Sequence, residues 1–164
     1  MPGQSKTLED LFLENLKDIY YAEKKILVAL PKMAEAVNSD ELRAAFEKHV
    51  GETEGQVERL QKVFKLVQQS PKGKTCPAIL GLVEEGEEVM EDFADSTALD
   101  AGLLSGAQAV EHYEIARYGT LVAWAQQLGM TEAAQLLSQT LEEEKKTDAA
   151  LSKLAQGVIN QKAA

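Results

Sequence analysis

Apolar side chains recur every three to four residues through most of this chain, and alternation with period two is never sustained. At ~100° per residue that spacing gathers the apolar positions onto one face of a helix. It predicts helices over residues 7–37 (α1), 40–69 (α2), 78–93 (α3), 101–127 (α4) and 131–158 (α5), with no strands and fraying at the last few residues. The breaks carry turn chemistry: Asn38-Ser39-Asp40, the loop Ser70-Pro71-Lys72-Gly73-Lys74-Thr75-Cys76-Pro77, residues 95–100, and Leu128-Gly129-Met130. Thr7 followed by Asp10 reads as a helix start, Gly129 as a C-cap and Thr131 as the next N-cap. Pro31 falls inside α1, so a kink near residues 27–30 is expected, not a break, because the apolar spacing continues through Ala34 and Val37. Two long hairpins, α1–α2 and α4–α5, joined by a crossover carrying the short α3, predict an all-α four-helix bundle of ferritin-like arrangement. Residues 1–164 read as one domain.

Glutamates interrupt the apolar stripes. Glu23 lies between Ile19, Tyr20, Ile26 and Leu27 on α1; Glu111 lies between Ala107 and Ile115 on α4; Glu144 lies between Leu141 and Leu151 on α5. On α2 the middle of the stripe is polar, with His49, Thr53 and Gln56, and Glu52 at one edge. Glu23 and Glu52 stand equally far from the α1–α2 turn, and Glu111 and Glu144 equally far from the α4–α5 turn. In antiparallel hairpins each pair therefore shares a level, and the four make a carboxylate layer across the bundle. Buried carboxylates are costly unless protonated, paired or metal-bound. No Lys or Arg falls on the α1, α4 or α5 stripe near the layer, and Arg59 on α2 lies two turns away and to the side. Two divalent ions would nearly neutralise four glutamates, so a metal site is the leading expectation; a vacant site with protonated carboxylates is the other.

Composition narrows the partners. With 17 Lys+Arg against 27 Asp+Glu the formal charge is −10, a poor match for nucleic acid or an anionic membrane. No apolar run is long enough to span a bilayer. Residues 1–6 lack the apolar core of a signal peptide, which points to the cytoplasm. The one cysteine, Cys76, can form neither an internal disulfide nor a thiolate metal site and reads as a bystander.

The stretches AEKKILVALPKMA, HVGETEGQVERL, EHYEIARYGTLVAWAQQLG and LEEEKKTDAAL together resemble the YciE/YciF-type bacterial stress proteins, a group within the ferritin-like superfamily related in fold to rubrerythrin. The resemblance runs from about Thr7 to Val158. It implies a two-metal carboxylate site, iron or manganese, in a homodimer, with oxidation of ferrous iron or removal of peroxide as its chemistry. By that resemblance Glu23 and Glu111 cap one metal each, Glu52 and Glu144 bridge, and Glu114 is a supplementary ligand. Two departures stand out. The family motif Glu-x-x-His is broken at Gly55 after Glu52, where His49, one turn earlier, can substitute. It is broken again after Glu144, where Thr147 and Asp148 follow and Asp148 can supply an oxygen. Such an oxygen-rich set suits manganese, magnesium or ferrous iron over zinc or copper. The broken motifs also favour a second expectation, a non-catalytic dimeric scaffold with a degenerate site.

Other residues have plainer readings. His112 points ~100° from Glu111 and reads as an inter-helix hydrogen bonder. Tyr20 and Tyr118 share stripes with Glu23 and Glu111 and are candidates to orient a metal carboxylate. Tyr21, Val28, Tyr113 and Trp124 point away from the core and are to be covered by α3 or by a second copy. The acidic run from Glu84 to Asp92 reads as a solvated face.

Overall fold

The computed structural model describes residues 5–164; the reading of residues 1–4 lies outside them. α1 spans Leu8–Ala36 and opens on a capping box, in which Thr7 Oγ1 accepts from the Asp10 amide and the Asp10 carboxylate accepts from the Thr7 amide. It runs unbroken through Pro31. α2 spans Asp40–Leu66, capped by Ser39. It stops three residues short of expectation because Gln68 adopts a left-handed conformation (φ 55°) and the Gln69 amide turns back to the Phe64 carbonyl, a role glycine usually fills.

α3 spans Pro77–Asp92, with Cys76 as its N-cap and proline at the first helical position. α4 spans Leu99–Gln127, starting two residues earlier than expected, and ends at Gly129 (φ 72°). α5 spans Thr131–Leu154 and begins on Thr131 itself, so Thr131 is the first helical residue and not the cap. The Met130 amide returns to the Ala125 carbonyl at 2.8 Å across the left-handed Gly129, closing the end of α4. A π-helical turn, Ala155–Ile159, and a last turn, Asn160–Ala163, keep the chain helical where fraying was expected.

The long helices pack in a ring α1, α2, α5, α4, leaving α1 and α5, and α2 and α4, as diagonals. This is the ferritin-like bundle, with the crossover as the device that returns the chain along the bundle. The Asp100 carboxylate accepts from the amides of Asn38 and Ser39, both at 2.8 Å, pinning the start of α4 to the α1–α2 turn. α3 lies against α1 and α4, close enough that a Cβ on Gly102 would sit 2.7 Å from Val89 Cγ1. It and the loop before it partly cover the outward aromatics: Tyr21 meets Gly73, Tyr113 meets Cys76, and Val28 stays 59% exposed. Phe12, Leu16, Phe46, Leu103, Leu121 and Leu137 are buried and fill the bundle. Each such side chain contributes about 1.5–3 kcal/mol on burial. Between these apolar layers lies a polar one.

Candidate metal centre

Each long helix presents its polar residues to the interior by helical spacing. α1 supplies Glu23; α2 supplies His49, Thr53 and Gln56; α4 supplies Glu111, Glu114 and Tyr118; α5 supplies Thr140 and Glu144. None of these is more than 2% exposed. Nδ1 of His49 is 3.1 Å from Glu111 Oε1, and Nε2 is 3.7 Å from Glu144 Oε2. Neither contact is aligned as a hydrogen bond, so both ring nitrogens remain without a partner. Tyr118 donates to Glu23 Oε1 at 2.5 Å, and Glu114 stands beside Glu23. Tyr20, by contrast, turns its hydroxyl to Gln61.

Every buried side-chain nitrogen or oxygen that lacks a partner among the described residues belongs to Glu23, His49, Gln56, Glu111, Glu114 or Glu144. Orphaned buried polar atoms are rare and costly, and their confinement to one layer marks that layer as built for something absent from the chain itself. Without a counter-ion, Glu23, Glu111 and Glu114 are favoured in the protonated form. Burial pushes Glu23 up to about 8, reinforced by the Glu144 charge. Burial and the neighbouring Glu144 push Glu111 up to about 12, and burial with the surrounding carboxylates holds Glu114 well above the usual range. Burial also works against Glu144 ionising, but His49, Glu111 and Gln56 around it win, and its carboxyl ends below the usual value. Tyr118, buried against Glu23, is held well above the ordinary phenol range and stays a donor.

The donor set fits a metal. One ligand atom each from His49, Glu111, Glu114 and Glu144 lie within 4.8 Å of one another. Opposite ligands of an ion bound at ~2.0–2.2 Å are about 4–4.4 Å apart, so these four close on one ion with small rotations. Glu23, with an unpartnered Oε2, stands next to Glu114 outside that group.

The layer thus brings together Glu23, His49, Glu111, Glu114 and Glu144, and places Glu52 and Asp148 at its rim. Glu52 pairs with Lys48 Nζ at 3.1 Å and accepts from Thr147 Oγ1 at 3.2 Å. Asp148 accepts from Gln108 and pairs with His112 Nε2 at 3.2 Å, the inter-helix partnership anticipated for that histidine. The wheel explains Glu52: residues 53 and 56 return to within ~40° of His49, whereas 52 falls ~60° to the side. Thr140 joins the layer unanticipated, and Arg59 grips both Glu143 oxygens at 2.9 and 3.0 Å while donating to Thr140 Oγ1 at 2.7 Å. Cys76 lies outside the layer, where its thiol shares a 3.0 Å hydrogen bond with Tyr113, which donates to Asp18.

A family model described as a domain of unknown function (DUF892) matches residues 7–164. Protein YciF of Escherichia coli (strain K12) is 47% identical over 159 residues, 96% of each chain. The crystal structure of the E. coli stress protein YciF superposes with a TM-score of 0.91 at 46% identity, covering 96% of this chain and 99% of that one. YcfI from Rhodopseudomonas palustris gives 0.88 at 48% identity, covering 93% and 97%. A Xanthomonas campestris protein, at 24% identity, TM-score 0.74 and coverage of 95% and 96%, shares the fold.

Proposed function

This chain belongs to the DUF892 family, and from that premise we propose that it is a YciF-like stress protein whose buried layer is a two-metal carboxylate centre for oxidising ferrous iron or removing peroxide. The observation that carries the proposal is the confinement of all the unpartnered buried atoms to six side chains on four helices. His49, Glu111, Glu114 and Glu144 would hold one ion, and Glu23 with Glu114 would hold the other. Bound iron would supply one-electron chemistry toward oxygen or peroxide. The chain's own residues do the rest. Tyr118 orients Glu23, His49 stands between Glu111 and Glu144, and Phe46, Leu121 and Leu137 keep bulk water out. Carboxylates around a single imidazole favour iron or manganese over softer ions. A homodimer is part of the proposal, supported by the resemblance and by Val28 exposed beside Tyr21 on α1. No helix among the described residues is long and apolar enough to cross a membrane.

The test is metal content by mass spectrometry on protein grown with iron and manganese and purified without chelator, beside Glu111→Ala and Glu144→Ala. About two metals per chain, lost in both variants, supports the centre and leads to oxygen and peroxide assays. No metal after anaerobic Fe²⁺ loading leaves the second reading, a non-catalytic scaffold with protonated glutamates. Gly55 and Thr147, standing where the family motif has histidine, favour that one.

A further inference from the structure

We propose that Gln56 is a neutral oxygen ligand of this centre, its carbonyl aimed by an Arg59–Glu143 pair on the bundle flank. The proposal rests on the metal-centre reading and adds a donor outside the glutamate and histidine set. Gln56 is 1% exposed and shares the interior face of α2 with His49 and Thr53. Its Nε2 is 3.2 Å from Glu143 Oε2. A carboxylate gripped through both oxygens by a guanidinium is an acceptor, so the amide must turn its nitrogen toward Glu143. That fixes the other end. Oε1 faces away from Glu143 and is buried without any donor. Arg59 is itself tied to Thr140 on α5, so α2 and α5 together lock the amide in this orientation. The amide nitrogen also reaches toward Glu144, helping to hold that carboxyl below its usual range, so the amide group borders the four-donor cluster.

Charge explains why an amide is suited to the place. Glu23, Glu111, Glu114 and Glu144, all ionised, balance two divalent cations. A fifth carboxylate would leave the buried site with net negative charge, which is costly in a low-dielectric interior. A carbonyl oxygen raises the coordination number of a hard cation without adding charge. Glu52, the acidic residue one turn before Gln56, is occupied by Lys48 and Thr147 and stays at the rim.

The experiment is anaerobic titration of the full chain with Co²⁺ and Mn²⁺, for wild type, Gln56→Leu and Gln56→Glu. It is read as dissociation constants and as the visible spectrum of bound Co²⁺, with thermal melting of each metal-free protein alongside. Gln56→Leu loses an orphaned carbonyl together with the amide's bond to Glu143, and is expected to stay folded yet to bind Co²⁺ at least tenfold more weakly with an altered spectrum. Gln56→Glu is expected to keep an oxygen donor and shift the Co²⁺ bands. A folded Gln56→Leu with wild-type affinity and spectrum overturns the proposal. Should that variant fail to fold, an unshifted Co²⁺ spectrum in Gln56→Glu overturns it equally and a shifted one sustains it. A wild type that takes up neither ion overturns this proposal and the metal-centre reading together, whereas wild-type uptake with unaffected variants overturns this proposal alone.

Discussion

Replacing Glu23 with glutamine should change how the stability of the metal-free protein depends on pH, by one proton. In the folded protein the Glu23 carboxyl is pushed up to about 8, chiefly by complete burial and then by the Glu144 charge. In the unfolded chain it has the ordinary value near ~4.3. Between those values the folded state binds a proton that the unfolded state has lost. The stabilisation is therefore fully present at low pH and drains away as pH rises through about 8. One proton corresponds to a slope of about 1.4 kcal/mol per pH unit, or about 2.5 kcal/mol between pH ~5.5 and ~7.5 after partial titration at both ends. Glu111 and Glu114 add slope of the same sign, since both are raised. Glu144 has the opposite sign, but its carboxyl is lowered and its window lies below the ordinary glutamate range, outside this interval. The wild type should accordingly be more stable at mildly acidic pH, and Glu23→Gln should show a shallower fall. Urea unfolding in chelator at several pH values, comparing the two proteins, reads the Glu23 contribution together with its effect on Glu111 and Glu114, both of which feel its charge. Parallel curves for wild type and Glu23→Gln would refute the assignment of a shared proton to Glu23.

Three further outcomes follow from the same structure. Asp100→Ala removes two charge-assisted bonds to the Asn38 and Ser39 amides and should cost about 2–3 kcal/mol in chemical denaturation, with metal uptake retained. Leu121→Ala empties a fully buried position in the α4 core and should cost about 2–5 kcal/mol, read as a lower midpoint with an unchanged denaturant slope. Tyr118→Phe takes away the donor to Glu23 Oε1, so the Glu23 carboxyl should hold its proton to still higher pH, visible as a shifted carboxyl stretch in infrared titration of the metal-free protein.

Much of the bundle was legible because helical periodicity and turn chemistry agreed. Thr7 with Asp10, and Gly129 after α4, behave as their types require. Where boundaries moved, the cause was a residue acting outside its usual preference. Gln68 takes the left-handed position that ends α2, and Cys76, a poor N-cap by type, begins α3 because Tyr113 fixes its thiol. The glutamates of α1, α4 and α5 could be read from the chain because a charge on an apolar stripe has no ordinary reason to be there. Glu114 entered through family resemblance alone, although it lies one turn from Glu111 on the same buried face. Glu52 shows the limit of counting levels. Distance from a turn sets height along the bundle, but the angle around the helix decides which side chain enters it, and at this height α2 turns His49, Thr53 and Gln56 inward.

The same geometry accounts for how a site with so few imidazoles can exist at all. Two histidines, as the resemblance to ferritin-like proteins would place after Glu52 and Glu144, would bring neutral ligands that need no proton removed at neutral pH. Here the glutamates would carry most of the coordination of a bound metal, and three of the four are held toward the protonated form by burial and by one another. Each divalent ion that enters must displace protons, so affinity climbs with pH while the metal-free protein loses stability over the same interval. Metal uptake and the relief of buried negative charge are then one equilibrium. On the proposed reading the layer would destabilise the metal-free bundle most where it would bind metal best, and Tyr118, His49 and the Arg59–Glu143 pair hold its side chains in place.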